Sequence, residues 1–224
     1  MKPRVRIAAA ALCVLGLSFA TSAQMGMRMQ GPPAPQGVFN PVVGSGAQYQ
    51  VQGREGKRKM EISIVGTEQF EGATGYWMET MMDGDNGSFI AKNLMVVTGP
   101  EVGIKRMIVQ PPDQDPVEFD PAMMRMRPGA QAQQSRAADF RKTAEKVGTE
   151  SVTVPAGTFE CEHWRSADGG DVWIDTKVAP YGMVKMVNKE TTMLLTKVIT
   201  NAKSRITGTP RKFDPSMMMQ RPPE

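Results

Sequence analysis

The chain has 224 residues, 40% of them hydrophobic, with 27 lysines and arginines against 23 aspartates and glutamates. Three of the basic residues lie in the first 23 positions, and the remaining 24 are almost balanced by the acidic residues. This balance excludes a general attraction to nucleic acid or anionic membranes, which requires a clustered basic surface. About 200 residues can bury one hydrophobic core, so we expect one domain with loose ends.

Residues 1–23 have the composition of a secretory signal peptide. Three basic residues precede an apolar run, and Thr21 and Ala23 occupy the small-residue positions of a cleavage site. The run is shorter than the roughly 20 residues that cross a bilayer as a helix, and no later segment is long and apolar enough. Cys13 follows a leucine, whereas a lipidation signal requires a small residue there. The sequence therefore predicts a periplasmic or secreted protein without a lipobox or a membrane span.

Removal of the signal peptide would leave Cys161 as the one cysteine of the mature chain. An internal disulfide is then impossible, even in an oxidising compartment. We interpret Cys161 as a small buried apolar residue, since free cysteine is among the most buried residue types. An intermolecular bridge and a redox-active thiol are the alternatives.

Three segments of the chain share a composition in which Met is mixed with Pro, Gln and Arg. They lie in residues 24–46, in an insert at residues 120–136 and in the tail at residues 201–224. Because they lack a periodic apolar face that could offset the entropy of ordering, we expect the two ends to be disordered and the insert to be mobile. Residues 47–200 are then expected to form a single β-rich domain.

Apolar residues at every second position predict short strands in this domain. Met60, Ile62 and Ile64 alternate with polar residues, whereas residues 89–96 are apolar on both sides. Turns rich in Gly, Asp and Pro separate these runs, as in an antiparallel meander. Because one strand is apolar on both sides, we expect neither face of the sheet to be purely solvent-exposed.

A single helix is expected over residues 131–147. Apolar residues recur there at helical spacing, at Ala137, Phe140, Ala144 and Val147. The helix could cover one side of the sheet. The predicted fold class is therefore mainly β (α+β), a curved antiparallel meander or half-barrel with one main helix and disordered ends rich in Met and Pro.

Residues 152–188 predict two consecutive hairpins. A three-residue turn would place Val154 opposite Thr158. An Asp-Gly turn would then place Trp164 opposite Trp173, and a turn centred on the next Gly-Gly pair is the alternative. In this register Phe159, Cys161 and His163 share one face, and the two tryptophans share the other. The residues assigned to these structural hairpins are Pro155, Gly157, Phe159, Cys161, His163, Trp164 and Trp173.

The same stretch carries a family resemblance. VTVPAGTFECEHW, followed by DVWIDTKVAPYGMVK and a last strand TTMLLTKVIT, resembles secreted bacterial families of unknown function whose sheet is similar to that of the lipoprotein carrier LolA. The match covers about residues 140–200 and leaves out the Met-rich ends. It implies a half-barrel that is closed on one side by helices and holds an apolar ligand on its concave face. It carries over no catalytic residues, because these families have no agreed catalytic motif.

Few groups in the mature chain could support catalysis. His163 is its one histidine, and no GxSxG turn presents a serine beside it. Cys161 and His163 could share a strand face, but a zinc site needs three or four ligands. Asp83 and Asp85 resemble the start of a calcium loop whose twelfth position is occupied by Leu94 where a glutamate is required. We therefore expect that the protein is not an enzyme and has no cofactor. We expect His163 to be a core residue whose ring nitrogen forms a hydrogen bond with the backbone.

The Met-rich segments suggest Cu(I) binding as an alternative, because thioethers are soft ligands that select Cu(I). Thioethers in disordered ends can equally act as adaptable contact surface or as oxidation targets. The sequence commits to no metal site. The Cu(I) candidates would be Met25, Met27, Met29, Met123, Met124, Met126, Met217, Met218 and Met219.

The function expected from the sequence is noncatalytic binding of an apolar or lipid-like ligand on the concave sheet. This expectation depends on the two apolar faces and on the family resemblance. The alternatives are a structural or interaction protein of the cell envelope without a small ligand, whose partner would be another envelope protein, and the Cu(I) binder.

Overall fold

The computed structural model describes residues 37–54, 56–85, 87–120 and 135–214, with residues 135–137 described by their backbone alone. The predicted signal peptide, residues 24–36, most of the predicted insert and the last ten residues lie outside these ranges. The described part forms one open, curved sheet of 13 strands. The strands are β1 (Gly46–Gly53), β2 (Gly56–Phe70), β3 (Ala73–Gly84), β4 (Gly87–Thr98), β5 (Glu101–Gln110), β6 (Val117–Phe119), β7 (Ser135–Ala137), β8 (Glu145–Val154), β9 (Gly157–Arg165), β10 (Asp171–Ile174), β11 (Met183–Val187), β12 (Thr192–Ile199) and β13 (Arg211–Lys212).

The sheet consists of two antiparallel meanders joined through β1. Strands β2 to β6 follow one another on one side of β1, and β12 to β8 follow in reverse chain order on the other. Strand β7 pairs with β5, and β13 runs parallel to β6. The prediction of a mainly β, antiparallel meander is therefore confirmed.

The alternation predicted for β2 is confirmed, since Met60, Ile62 and Ile64 are completely buried. We call the face of β2–β5 that carries these residues the inner face. Strand registers extend it across the meander, because residues directly opposite each other point to the same side of a sheet. One row of this face consists of Ile64, Met78, Asn93 and Met107.

Strand β4 is apolar on both faces, as predicted. Met95 lies on the inner face in the main core, whereas Leu94 packs on the opposite side with Trp77 and Ile108. We call this opposite side of β2–β5 the outer face. It carries a small second core, so both faces of the meander are covered.

Residues 201–214, which we call the strap, cross the outer face. The backbone N–H of Ala202 donates to the carbonyl of Gly44, and at the other end the N–H of Phe213 donates to that of Glu118. The sequence placed these residues in a disordered tail. The structure instead shows them bound to the sheet by hydrogen bonds and by the stacking of the Phe213 ring on Phe119. Local composition does not reveal such long-range partners.

Part of the N-terminal segment that was expected to be disordered is also hydrogen-bonded. The N–H groups of Val38 and Asn40 donate to the carbonyls of Tyr181 and Pro180, each at 2.8 Å. The ring of Phe39 packs against that of Tyr181 with centroids 5.3 Å apart. These contacts place Phe39 in the main core, with Val38 packed against it.

The predicted helix over residues 131–147 is wrong for the part that the structure describes. The described ranges contain no α-helix, only a 3-10 turn at Phe140–Lys142, and β8 begins at Glu145. Neighbouring segments use the backbone groups that a helix would need, because the carbonyl of Ala138 accepts from Phe39 and the N–H of Phe140 donates to Gly37. Tertiary hydrogen bonds therefore override the apolar spacing.

The register predicted for the first hairpin is wrong by one residue. Val154 pairs with Gly157 around a two-residue loop, and Val152 pairs with Phe159. Gly157 has a φ of +133°, which favours glycine. A shift of one residue changes which side chains share a face, so Val152 and Phe159 lie together instead of on opposite sides.

The second predicted register is wrong as well. Strands β9 and β10 are joined by five residues, and Trp164 pairs with Val172 while Trp173 pairs with His163. Ser166 closes this loop, since its N–H donates to the carbonyl of Gly170 and its hydroxyl accepts from the Gly170 N–H. The predicted pair of tryptophans is therefore replaced by a tryptophan–histidine pair.

Candidate functional site

The residues singled out by sequence fall into two groups. Those of the hairpins lie in β9, in β10 or in the loop between β8 and β9. The nine methionines suggested for Cu(I) all lie outside the described residues. Among the described residues, no cluster of three or more His, Cys, Asp or Glu side chains is arranged to hold a metal ion.

His163 is held by carboxylates and by an aromatic ring, not by the backbone as predicted. Its Nε2 lies 3.0 Å from Oδ1 of Asp171, and its Nδ1 lies 3.3 Å from Oε1 of Glu150. The ring stacks on Trp173 with centroids 4.3 Å apart, and the ammonium of Lys185 lies 4.3 Å from the Trp173 ring centroid. The group thus connects β8 through β11 by charge and ring contacts.

The electrostatics of this group suit a structural role. Burial raises the pKa of Asp171, but hydrogen bonds from His163 and Arg165 lower it by more, so its pKa lies below the ordinary value. Trp173 donates its Nε1–H to Glu150 at 2.5 Å. The polar atoms around the imidazole therefore form hydrogen bonds or ion pairs within the group. A cavity of about 190 Å³ lies beside His163 and Glu150, and residues 147–149 of β8 form the rest of its lining.

Cys161 lies on the same strand face as His163 but is completely buried. Burial raises the pKa of its thiol to about 12, with the charges of nearby carboxylates acting in the same direction. A thiol with so high a pKa is neutral at physiological pH and is a poor nucleophile and metal ligand. The predicted burial of Cys161 is confirmed.

Beside this group, Arg141 anchors the 3-10 turn to β9. Its guanidinium binds Asp139 at 2.9 Å and Glu162 at 3.1 Å, and Lys146 binds the other oxygen of Glu162 at 2.7 Å. The hydrogen bond from Arg141 lowers the pKa of Asp139, and hydrogen bonds from Lys146 and then Arg141 lower that of Glu162. A second cavity, of about 620 Å³, is lined by polar and small residues of 142–145 and 165–169.

Asn93 is the one buried side chain of the described residues with a polar atom that lacks a hydrogen-bond partner. The residue is 8% exposed, and the unpaired atom is its Oδ1 carbonyl oxygen. Buried polar atoms in folded proteins are almost always paired, and an unpaired one needs a specific reason. A role in ligand binding is such a reason, so Asn93 marks the candidate site.

The surroundings of Asn93 on the inner face are apolar and rich in methionine. Met78 and Met107 lie directly opposite it on the neighbouring strands, and Met95 follows two residues along β4. Thr80 is the nearest polar position on β3, diagonal to Asn93. We call Asn93 with these four residues the methionine patch.

One end of the methionine patch is bounded by a loop, and the other leads towards the surface. The Tyr181 hydroxyl donates to Sδ of Met78 at 3.5 Å. In the other direction along the strands, burial decreases, because Met82, Phe89 and Val109 are half-buried on the same face. The patch can therefore be approached from the end of the meander that lies opposite Tyr181.

Buried charges on the outer face are satisfied by the strap. Glu79 accepts hydrogen bonds from the Ser204 hydroxyl at 2.7 Å and from the Arg205 backbone N–H at 2.9 Å. The Arg205 guanidinium binds Glu61 at 2.6 Å. Because these carboxylates already have partners within the chain, the outer face is the weaker candidate for a ligand site.

Sequence analysis did not identify Asn93 as a functional residue. A signal was present, because Phe89, Ala91 and Met95 mark alternate positions of β4 on which Asn93 is the one polar residue. A single polar residue in an apolar row can be a site or a turn-proximal surface residue, and alternation alone does not distinguish them. The missing hydrogen bond becomes visible only when the neighbouring strands are placed.

Solved structures that are similar to this chain have low sequence identity and a low TM-score. The chain is similar at 14% identity and a TM-score of 0.34 to a candidate exported protein with a YmcC-like fold from Bacteroides fragilis, covering 73% of this chain and 99% of that one. It is similar at the same identity and TM-score to a candidate lipoprotein from Parabacteroides distasonis, covering 74% of this chain and 100% of that one. No protein-family model and no curated protein matches the sequence.

The part of the chain that the structure describes contains no helix with the length and hydropathy needed to cross a membrane.

Proposed function

We propose that this protein is a noncatalytic periplasmic or secreted binding protein whose methionine patch takes an apolar or lipid-like ligand. The observation that carries the proposal is the unpaired Oδ1 of Asn93 among apolar side chains on the inner face. The signal-peptide pattern of residues 1–23 supports the location outside the cytoplasm.

Methionine suits such a site. Its side chain is unbranched, with three rotatable bonds and a polarisable sulfur, so it repacks around ligands of irregular shape. Three methionines surround Asn93, and a fourth, Met82, continues the surface towards the exposed end. In the proposed site, these flexible side chains would rotate to accommodate an acyl chain.

The polar group around His163 supports the noncatalytic assignment. Its imidazole is engaged by two carboxylates, and the adjacent thiol of Cys161 is buried with a raised pKa. A general base must reach the proton of a substrate, and a nucleophile must be activated by a neighbouring base. This group instead stabilises the packing of β8 to β11.

Binding of a fluorescent dodecanoyl probe to the purified protein tests the proposal. We expect saturable binding of one probe per chain. Met107→Trp should weaken it at least tenfold, because the bulky and less flexible ring would stand directly opposite Asn93, where the proposed site needs a side chain that can move aside. The matched control is Val147→Trp, which places the same ring at a 48% exposed position on β8 and should leave binding unchanged.

The absence of saturable binding to the unmodified protein would contradict the proposal and favour a structural or interaction role. Equal binding by both tryptophan variants would also contradict it, since the probe would then occupy a different surface. Circular dichroism of the variants establishes that each is folded.

A further inference from the structure

We infer that the ligand of the methionine patch is an uncharged amphiphile whose head group donates a hydrogen bond, such as a primary amide or an alcohol. This inference rests on the proposed function and specifies the ligand class. It is carried by the acceptor that is unpaired at the site and by the absence of charge at the positions around it.

The first argument is the polarity of the unpaired atom. Oδ1 of Asn93 is a carbonyl oxygen and can only accept a hydrogen bond. A ligand that contributes another acceptor alone, such as an ester, would leave it unpaired. A ligand with an N–H or O–H group would satisfy it, and the pairing is favourable because the cost of burying this oxygen is already present in the unliganded protein.

The second argument is charge. The four residues that surround Asn93 in the methionine patch are three methionines and a threonine, none of which is ionisable. The neighbouring charged residues Lys92 and Arg106 occupy outer-face positions of their strands. A carboxylate or phosphate head buried beside Asn93 would lose its hydration without gaining a cation from the described strand positions around it, which is strongly unfavourable.

The third argument is orientation. The methionine patch is bounded by Tyr181 at one end and leads to half-buried apolar residues at the other. A head group at Asn93 would therefore place its hydrocarbon chain along Met82, Phe89 and Val109, towards the end of the meander. The geometry points to a ligand that enters with its polar head first.

Competition by three dodecyl compounds against the fluorescent probe tests the inference. Dodecanamide donates hydrogen bonds, methyl dodecanoate has an acceptor but no donor, and dodecanoate is charged at pH 7. In the unmodified protein we expect the amide to bind about fivefold to tenfold more tightly than the ester, as one additional hydrogen bond provides. Dodecanoate should bind more weakly than the amide.

Asn93→Leu provides the matched variant, because it keeps the approximate size of the side chain and removes the acceptor. The ratio of the amide affinity to the ester affinity should fall to about one, and this ratio is the readout whatever the absolute affinity of the variant. Equal affinities for amide and ester in the unmodified protein, a preference that survives in N93L, or tighter binding of dodecanoate would each overturn the inference.

These outcomes separate the two proposals. If none of the compounds displaces the probe and the probe itself does not bind, the proposed function fails. If the three compounds bind with equal affinity, the apolar binding site stands and the assignment of the head group fails. The comparison in the unmodified protein does not depend on whether the variant folds.

Discussion

The carbonyl oxygen of Asn93 has no hydrogen-bond partner among the described residues. It is buried without a hydrogen bond, and an unpaired buried acceptor costs roughly 1 to 3 kcal/mol. Binding sites often retain such locally unfavourable groups because they serve a ligand and not the fold. At this position, stability and binding therefore make opposite demands on the side chain.

A substitution at Asn93 should reveal this conflict. We expect Asn93→Leu to raise the free energy of unfolding by about 1 kcal/mol, because it removes a buried unpaired acceptor and adds apolar contacts. Urea unfolding followed by circular dichroism measures the change. Asn93→Asp, which places an ionisable group at the same buried position, should instead lower stability. A loss of stability in N93L would show that Asn93 contributes to the fold.

Cys161 illustrates a different residue-scale result. Its fully buried side chain and raised pKa agree with the interpretation of a small apolar core residue. The intermolecular disulfide and the redox-active thiol both require a sulfur that a second molecule can reach. The burial of Cys161 therefore disfavours both alternatives in the folded chain.

At the scale of elements, the strap contains one short strand, β13, and neutralises buried charge through the residues that precede that strand. Glu61 and Glu79 are 6% and 3% exposed, and Arg205 and Ser204 supply their hydrogen bonds. Ile206 packs against the small core of Trp77, Leu94 and Ile108. Buried carboxylates without these partners would destabilise the sheet, so the strap is part of the domain.

Removal of one charge in the strap should therefore have a measurable cost. We expect Arg205→Ala to lower the free energy of unfolding by about 2 kcal/mol, less than for a fully buried pair because Arg205 is partly exposed. Arg211→Ala is the control, since the ion pair of Arg211 with Asp115 is exposed and should contribute at most about 0.5 kcal/mol. Equal effects of the two changes in chemical unfolding would argue against a buried charge contact.

The ion pairs of Arg141 with Asp139 and Glu162, which we call the Arg141 cluster, should make the junction of the 3-10 turn and β9 sensitive to acid. The pKa values of Asp139 and Glu162 are lowered in the folded protein, so their pairing stabilises it above the unfolded-state values near 4. This contribution is lost as the pH falls through the lowered folded-state pKa values. Acid protonates the two carboxylates and thereby weakens the cluster.

Replacement of Arg141 tests the sign of this dependence. In Arg141→Met the two pKa values should return towards the ordinary range, so stability should fall less steeply between pH 5 and pH 3 than in the unmodified protein. Urea titrations at several pH values give the slopes. A steeper decrease in the variant would mean that Arg141 does not lower these pKa values.

Strands could be predicted from sequence where the information is local. The alternation of Met60, Ile62 and Ile64 is set by the two-residue repeat of a strand and needs no knowledge of distant residues. The hairpin registers could not be predicted, because the number of residues in each loop depends on Gly157 and on the Ser166 hydrogen bonds. An error of one residue then exchanged the partners of the tryptophans.

The helix prediction failed for the same physical reason that the strap was missed. Residues 137–147 satisfy the spacing of a helix, but segment 37–40 takes up backbone groups of Ala138 and Phe140. The order of the strap likewise depends on Glu79, more than 120 positions earlier in the chain. Contacts of this kind leave no trace in local composition, and the unpaired Asn93 belongs to the same class of long-range observation.

At the scale of the whole molecule, the sheet combines two faces with different roles. On β2–β5 the inner face contains the methionine patch, and the outer face is covered by the strap. The second meander, β8 to β12, is braced by the charges around His163 and Arg141. In the proposed function, strands β2–β5 bind the ligand, and strands β8 to β12 support them.

The position of β1 in the centre of the sheet determines when the structure can be completed. One edge of β1 pairs with β2, the next strand in the chain, whereas the other edge pairs with β12. The hydroxyl of Thr196 in β12 donates to the carbonyl of Gln48 in β1, which lies 148 positions earlier in the sequence. During synthesis from the amino terminus, one edge of β1 therefore remains open until nearly the whole domain has been made. Until then this open edge can pair with strands of other chains, so slow completion of the domain favours aggregation.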